Sequence, residues 1–189
     1  MKKSIGPKTI VFPAPAFVVA TYGKDGKANA MTAAWAGICC SSPPCIAVSL
    51  RKATATYSNM VTQKAFTINI PSENLVKVVD YFGIATGKEV DKFEVTGVTP
   101  VKSELVNAPY IMEFPFVLEC RVIRIIEIGL HTQFIGEIMD IKADDSIIGD
   151  ECTLEIEKVK PVMYAPEVRK YFGMGRFLGK VFHIGRDLI

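Results

Sequence analysis

Residues 29–57 read N-A-M-T-A-A-W-A-G-I-C-C-S-S-P-P-C-I-A-V-S-L-R-K-A-T-A-T-Y, and the order of these pieces decides the fold. Asn29 to Trp35 is a polar strand end closing on a large aromatic residue. Ile38–Ser41 and Cys45–Leu50 are strand-like runs on either side of the turn Ser42-Pro43-Pro44. The second run has the composition of a buried strand. It feeds directly into a hydroxyl-rich, cationic turn, Ser49 to Thr56, at a predicted helix start. Thr54 is the expected N-cap of a helix over Thr54–Gln63.

The same alternation of strands and turns continues outward. Ala16–Tyr22 is rich in β-formers and ends at Gly23-Lys24-Asp25-Gly26, a hairpin signal, with Lys27–Ala34 as the returning strand. Phe66–Ile70 is a short strand closed by Pro71. Glu73–Phe82 places Leu75, Val76, Val78, Val79 and Phe82 at helical spacing behind Ser72, an expected N-cap. Phe116–Ile128 and Gln133–Ala143 read as long antiparallel strands around Gly129–Thr132, and Leu154–Val159 as one strand more. Many strands with few short helices predict a mainly β protein, a barrel or sandwich rather than a parallel α/β fold. No repeat or linker divides the chain, so residues 1–189 are expected to form one domain. The aromatic tail 161–189, with Tyr164, Tyr171, Phe172, Phe177 and Phe182, is expected to pack on the body or on a partner subunit.

Bulk properties narrow the function classes. The chain has 189 residues, 49% of them hydrophobic, and a net charge of +2. That charge is too small and too scattered for a nucleic-acid surface. No apolar run spans a bilayer; Phe116–Leu130 is broken by Glu119, Arg121, Arg124 and Glu127. The mean hydropathy of +0.26 is high for such a chain and points to a subunit interface. Lys2, Lys3 and Lys8 before Ile10–Ala20 loosely resemble a leader, but Pro13 and Pro15 interrupt the run and no A-x-A site follows, so the segment reads as part of the fold. Cys39, Cys40, Cys45, Cys120 and Cys152 are odd in number and form no C-x-x-C, which suits buried small hydrophobes in a reducing cytoplasm.

Two segments carry chemistry. Ser49-Leu50-Arg51-Lys52-Ala53-Thr54-Ala55-Thr56 offers hydroxyls, cations and helix N–H groups after a buried strand, which is what a phosphate dianion needs. The alternative is an ordinary capped helix with solvated Arg51 and Lys52. Asn29, Met31, Thr32 and Trp35 supply a flat, mostly apolar slot with polar atoms at one edge, suited to an aromatic ring system. The alternative is that Trp35 and Thr32 are routine core and strand residues. Taken together the segments suggest a flavin site. Gly173-Met174-Gly175-Arg176 is not G-x-G-x-x-G and opens no helix, so a dinucleotide loop is rejected; no P-loop and no G-x-S-x-G elbow occurs. With two histidines, a histidine-rich metal site is not expected.

In order along the chain, N-x-M-T-A-A-W, P-P-x-I-A-V-S-L-R, T-x-T-Y, F-T-I-N-I-P, Asp91-Lys92-Phe93 before Gly97, His131-Thr132-Gln133-Phe134-Ile135-Gly136-Glu137-Ile138 and Lys160-Pro161-Val162-Met163-Tyr164 resemble the flavin reductase-like FMN-binding split-barrel family, the flavoredoxin and archaeal ferric reductase branch. The resemblance covers roughly residues 5 to 172. It implies a six-stranded antiparallel split barrel with flanking helices, and a homodimer with non-covalent FMN at or near the subunit interface. By motif position, Asn29, Met31, Thr32, Ala33, Ala34 and Trp35 would line the ring and ribityl chain. Ser49, Leu50, Arg51, Thr54 and Thr56 would hold the phosphate and ribityl groups, and Lys92 falls in a segment that approaches the cofactor in some members. His131 matches a position beside the nicotinamide in NADH-dependent members; otherwise it is a hairpin-end histidine without a role.

What the resemblance implies for activity is electron transfer through the bound flavin. NADH or NADPH, or a protein donor, would supply electrons, and free flavin, ferric iron or a redox partner would accept them. A reductase with its own nicotinamide site and a carrier fed by another protein both remain open. So does a non-catalytic flavin-binding module for storage or sensing.

Overall fold

The computed structural model describes residues 1–188. The chain order is β1 Ala14–Pro15, β2 Phe17–Tyr22, β3 Ala28–Ala33, β4 Ala36–Ser41 and β5 Pro44–Arg51, then α1 Ala55–Gln63. Next come β6 Ala65–Ile70, α2 Val76–Ile84, α3 Lys92–Thr96, β7 Pro100–Lys102 and β8 Pro109–Ile111. The long β9 Phe116–Ile128 and β10 His131–Ala143 follow, and then α4 Ile156–Val159, β11 Met163–Ala165 and β12 Lys170–Phe172.

Seven strands form one antiparallel sheet in the order β3-β2-β6-β9-β10-β5-β4. Its two end strands are halves of a single path. β3 pairs with β2, the chain bends at Ala34-Trp35, and β4 continues against β5. The Ser49 N–H donates to the Trp35 carbonyl at 2.9 Å across that bend. The sheet therefore closes on itself as six strand paths, the architecture the resemblance implied. Closure leaves the outer edge of β3 without a strand partner, which is where a barrel can be split.

Two apolar layers hold this arrangement. Inside the barrel lie Val48, Leu50, Phe66, Ile68, Leu118 and Phe134, each at most 5% exposed. Outside it, Val79 and Phe82 of α2 and Phe93 of α3 pack on Val18, Ala20 and Ala30. Strand β6 is buried on both faces because it lies between the two layers. Phe66, Ile68 and Ile70 point inward; Thr67 and Asn69 point outward under the β7–β8 hairpin. Burying such polar groups is tolerable only when they are bonded. The Thr67 hydroxyl donates to the Pro109 carbonyl at 2.6 Å, and the Asn69 carboxamide accepts from the Ile111 N–H at 2.8 Å. Each fully buried Phe, Ile or Leu contributes about 1.5–3 kcal/mol.

Local signals explain most boundaries. The Thr54 hydroxyl accepts from the Tyr57 N–H at 3.2 Å and starts α1, as expected. The helix expected over Glu73–Phe82 begins as a tight turn over Glu73–Leu75 and becomes α-helical at Val76. Ser72 does not cap it; its hydroxyl goes to the Asn74 carboxamide. Leu154–Val159 is not the expected strand. Leu154 makes one bridge to Ile148, and Ile156–Val159 is a single helical turn that carries Val159 into the barrel core. The alternation L-E-I-E looks extended, but the contact to be made is Val159, which one turn of helix delivers.

The tail divides in two. β11 joins β1 and β12 in a small sheet, and Tyr164 and Tyr171 pack against the outer layer. Beyond it Phe177, Val181 and Phe182 stand exposed. No helix among the described residues is long and apolar enough to cross a membrane.

Candidate functional site

Six of the sequence-predicted residues meet in one cavity of about 270 Å³: Asn29 and Met31 from β3, Arg51 from the end of β5, Thr54 and Thr56 from the start of α1, and Lys92 from the start of α3. The far wall is the segment 82–87, where α2 ends. Elements distant in sequence are brought together because β3 has no strand neighbour on its outer edge, and α2 and α3 pack there instead.

The edge itself is chemically defined. The Lys92 ammonium donates to the Ala30 carbonyl at 2.8 Å and to the Phe82 carbonyl at 3.0 Å. The Ala30 backbone therefore faces the free edge, and by the two-residue period of a strand so does that of Thr32. Lys92 is 4% exposed, and among the described residues no carboxylate pairs with it. Burial lowers its ammonium from 10.5 to about 8, so it is a cation with one uncommitted N–H. Asp91 sits beside it but is spent on capping α3, accepting from the N–H groups of Phe93 and Glu94 at 3.1 and 3.2 Å.

Asn29 spans the cavity. Its Nδ2 donates to the Thr56 hydroxyl at 2.9 Å, while its Oδ1 is buried without a partner. A buried unsatisfied acceptor costs about 1–3 kcal/mol unless a ligand meets it. Thr54, by contrast, has a fully used hydroxyl: it donates to the Arg51 carbonyl at 3.0 Å and accepts from Tyr57. Its role is to fix the turn, leaving the N–H groups of Ala55 and Thr56 directed outward at the helix N-terminus. Arg51 is exposed at the rim.

The other predicted residues lie apart. Thr32 and Ala34 line a neighbouring cavity of about 510 Å³ with Asp80, Tyr164, Arg169 and Tyr171. Gly83 and Ile84 form the wall shared with the first cavity. The Thr32 hydroxyl is bonded to the Val79 carbonyl. Trp35 borders a third cavity of about 700 Å³ with Lys8, Ile10 and Tyr164. Ala33 and Leu50 are in the barrel core, 5% and 2% exposed, so only their backbone can face a ligand. Ser49 is half-buried and its N–H is used at the bend. His131 opens β10 opposite Arg51, half-buried and outside all three cavities.

Sequence reasoning missed the wall 83–87, and Asp80 and Arg169, which line the neighbouring cavity. Gly83 and Gly87 around the end of the helix, with Ala85 and Thr86 between, were the available signal for the wall. Nothing local marked Asp80, whose carboxylate accepts from the Tyr171 hydroxyl at 3.1 Å across 91 residues. Among the described residues no group of three or more His, Cys, Asp or Glu side chains is placed to hold a metal.

Known proteins are similar along nearly the whole chain. The model of the flavin reductase like domain matches residues 9–172. The flavoredoxin of Desulfovibrio vulgaris (Miyazaki F) is 53% identical, with 98% of this chain and 100% of that chain covered and a TM-score of 0.94. The flavoredoxin from Methanosarcina acetivorans is 28% identical, with both chains covered in full and a TM-score of 0.94. A protein of Archaeoglobus fulgidus is 34% identical over 64% of this chain and 68% of its own length.

Proposed function

This chain belongs to the flavin reductase-like domain family, and from that premise we propose that it is an FMN-binding redox protein that passes electrons from NADH, NADPH or a protein donor to flavin, ferric iron or a redox partner. The observation that carries the reading is the buried, unpartnered Oδ1 of Asn29, beside the Lys92 cation and the N-terminus of α1 in one cavity. A ligand with a polar planar edge and a phosphate satisfies all three.

In this reading FMN supplies the hydride and electron chemistry. The protein's residues bind and orient. The α1 N–H groups and Arg51 take the phosphate; Thr54 holds that turn in place. Asn29 accepts a hydrogen bond from the ligand, steadied by Thr56. Lys92 presents positive charge along the free edge of β3, where negative charge is favoured. Met31 supplies an apolar, adaptable wall. Tyr164 and Trp35 restrict water on the far side of the bend. None of these residues is required as an acid or base.

We also propose a homodimer with the cofactor near its interface, a reading supported by the exposed apolar surface of the β9–β10 hairpin. The experiment that tests the whole reading is the visible spectrum of the purified protein under anaerobic conditions, before and after NADH or NADPH. Flavin bands that bleach promptly identify a reductase. Bands that bleach only with dithionite identify a carrier fed by a partner. A protein that neither carries nor takes up FMN refutes the reading. Bound FMN that no donor or acceptor reoxidises or reduces would leave the non-catalytic flavin-binding module.

A further inference from the structure

Three of the five free cysteines sit on one hairpin, Cys39 and Cys40 on β4 and Cys45 on β5. Cys40 and Cys45 are direct cross-strand partners, one pair in from the turn Ser42-Pro43. Such partners put their side chains on the same face with Cα atoms about 4.5–5.5 Å apart. A disulfide spans about 4.4–6.8 Å between Cα atoms. The register slips between Ile38 and Cys40, so Cys39 is the extra residue of a β-bulge and has no partner across the hairpin. Cys40 is exposed, whereas Cys45 is 2% exposed. Cys120 is buried in the barrel core, and Cys152 is exposed in the turn Asp150–Cys152.

We propose that Cys40 and Cys45 are a thiol–disulfide exchange site that takes small disulfides as its substrate class and closes into a cross-strand disulfide. The Cys40 thiolate attacks one sulfur of a disulfide RSSR. The S–S bond of RSSR breaks, a Cys40–SR bond forms, and RS⁻ leaves with the proton Cys40 gave up. The Cys45 thiolate then attacks Cys40 Sγ, the bond to SR breaks, and the second RS⁻ leaves with the proton of Cys45. Two protein thiols lose two electrons and two protons, and RSSR becomes two RSH.

The surroundings order the two steps. Cys45 is faced by Cys39 and Cys40 on β4 and by Glu137 on β10, whose carboxylate accepts from Arg121 of β9 at 2.8 Å. Burial first, and then these neighbours, push the Cys45 thiol up. Attack begins at the exposed thiol and closure waits on the buried one. Closure therefore quickens as pH rises, and the mixed disulfide on Cys40 precedes it. Cys39, raised out of the ladder by the bulge, does not compete for Cys45 in the closed form.

Reduced protein treated with excess oxidised glutathione, quenched in acid and mapped by mass spectrometry tests this. The expected result is a peptide containing Cys40 and Cys45 that has lost two hydrogens and carries no glutathione on either, while Cys152 keeps its adduct. Cys45→Ser should trap glutathione on Cys40, and wild-type closure should speed up about tenfold for each pH unit below the Cys45 value. Glutathione that stays on Cys40 of the wild type overturns the proposal. So does a bond from Cys39, or a Cys40 that stays reduced while Cys152 reacts. Because the bond is located directly in the wild type, a Cys45→Ser variant that does not fold leaves the test intact, and the outcome is independent of flavin.

Discussion

Gly87 lies against the carboxamide of Asn29, so closely that a Cβ at position 87 would overlap Oδ1. The glycine is not in the left-handed region; what it supplies is room. The segment that follows α2 thereby approaches the edge strand β3 with only the Asn29 side chain between them, and the Asn29 amide is held between Thr56 and the Gly87 backbone. This contact sets the width of the candidate cofactor cavity.

Gly87→Ala should push the Asn29 side chain off Thr56. Losing one hydrogen bond costs about 1 kcal/mol of stability. FMN retention should fall by roughly tenfold because the acceptor is displaced. Fluorescence titration of the apoprotein with FMN measures this, and unchanged retention would detach Asn29 from the cofactor.

Arg51→Ala should weaken FMN binding by about 10- to 100-fold, the range of a charge-assisted contact of about 1.5–3 kcal/mol. Arg51 is exposed, and the carbonyl that Thr54 uses is backbone, so the melting temperature of the apoprotein should not move. Wild-type retention would remove Arg51 from the phosphate role.

Lys92 makes stability depend on pH. Its folded value is lowered to about 8 while the unfolded chain keeps 10.5, so between these the unfolded state binds more protons. Stability should therefore rise with pH through that window, by at most about 3 kcal/mol. Tyr171 acts the other way higher up. Burial, with Asp80 adding to it, raises its phenol from 10.0 to about 12, so stability falls above the lower value. Urea unfolding of apoprotein from about pH 7 to about pH 10 should show wild type gaining on Lys92→Met. Parallel curves would contradict the burial cost.

His131→Ala should slow reduction by NADH or NADPH several-fold if the protein is a reductase, leaving FMN retention intact, since His131 lies outside the cofactor cavity. An equal stopped-flow rate would return His131 to the end of a hairpin.

The outer half of the β9–β10 hairpin exposes Ile123, Ile126, Ile128 and Leu130. Apolar surface on that scale is usually covered. Light scattering at micromolar concentration should report twice the chain mass, and Ile126→Lys should shift it toward the monomer. A wild-type monomer would contradict the dimer.

Much of this protein is legible in its sequence for a local reason. Hairpin turns, the β-rich runs of β2 and β6, the Thr54 cap and the long β9–β10 pair are each specified locally. The helix start at Thr54 was visible because hydroxyls and a cap residue fall together there, and it is this turn, with Arg51, that is proposed to take a phosphate. Ser72 and Leu154–Val159 misled because their local patterns fit two structures, and distant packing chose between them. Trp35, expected from the sequence to line a ring, also stands at the bend where one strand changes partners, which no local signal marked.

The sequence by itself determined the class of fold, the order of its strands and which residue types are available to hold a phosphate and a flat ring, because these follow from periodicity, turn chemistry and motif order. Only the tertiary structure decided which of those residues meet. The closure of the barrel at Ala34-Trp35, the approach of Gly87 to Asn29, the burial of Lys92 against two carbonyls and the pairing of Cys40 with Cys45 all depend on register and packing between segments. That information is carried by the whole core at once and by no stretch of the chain alone.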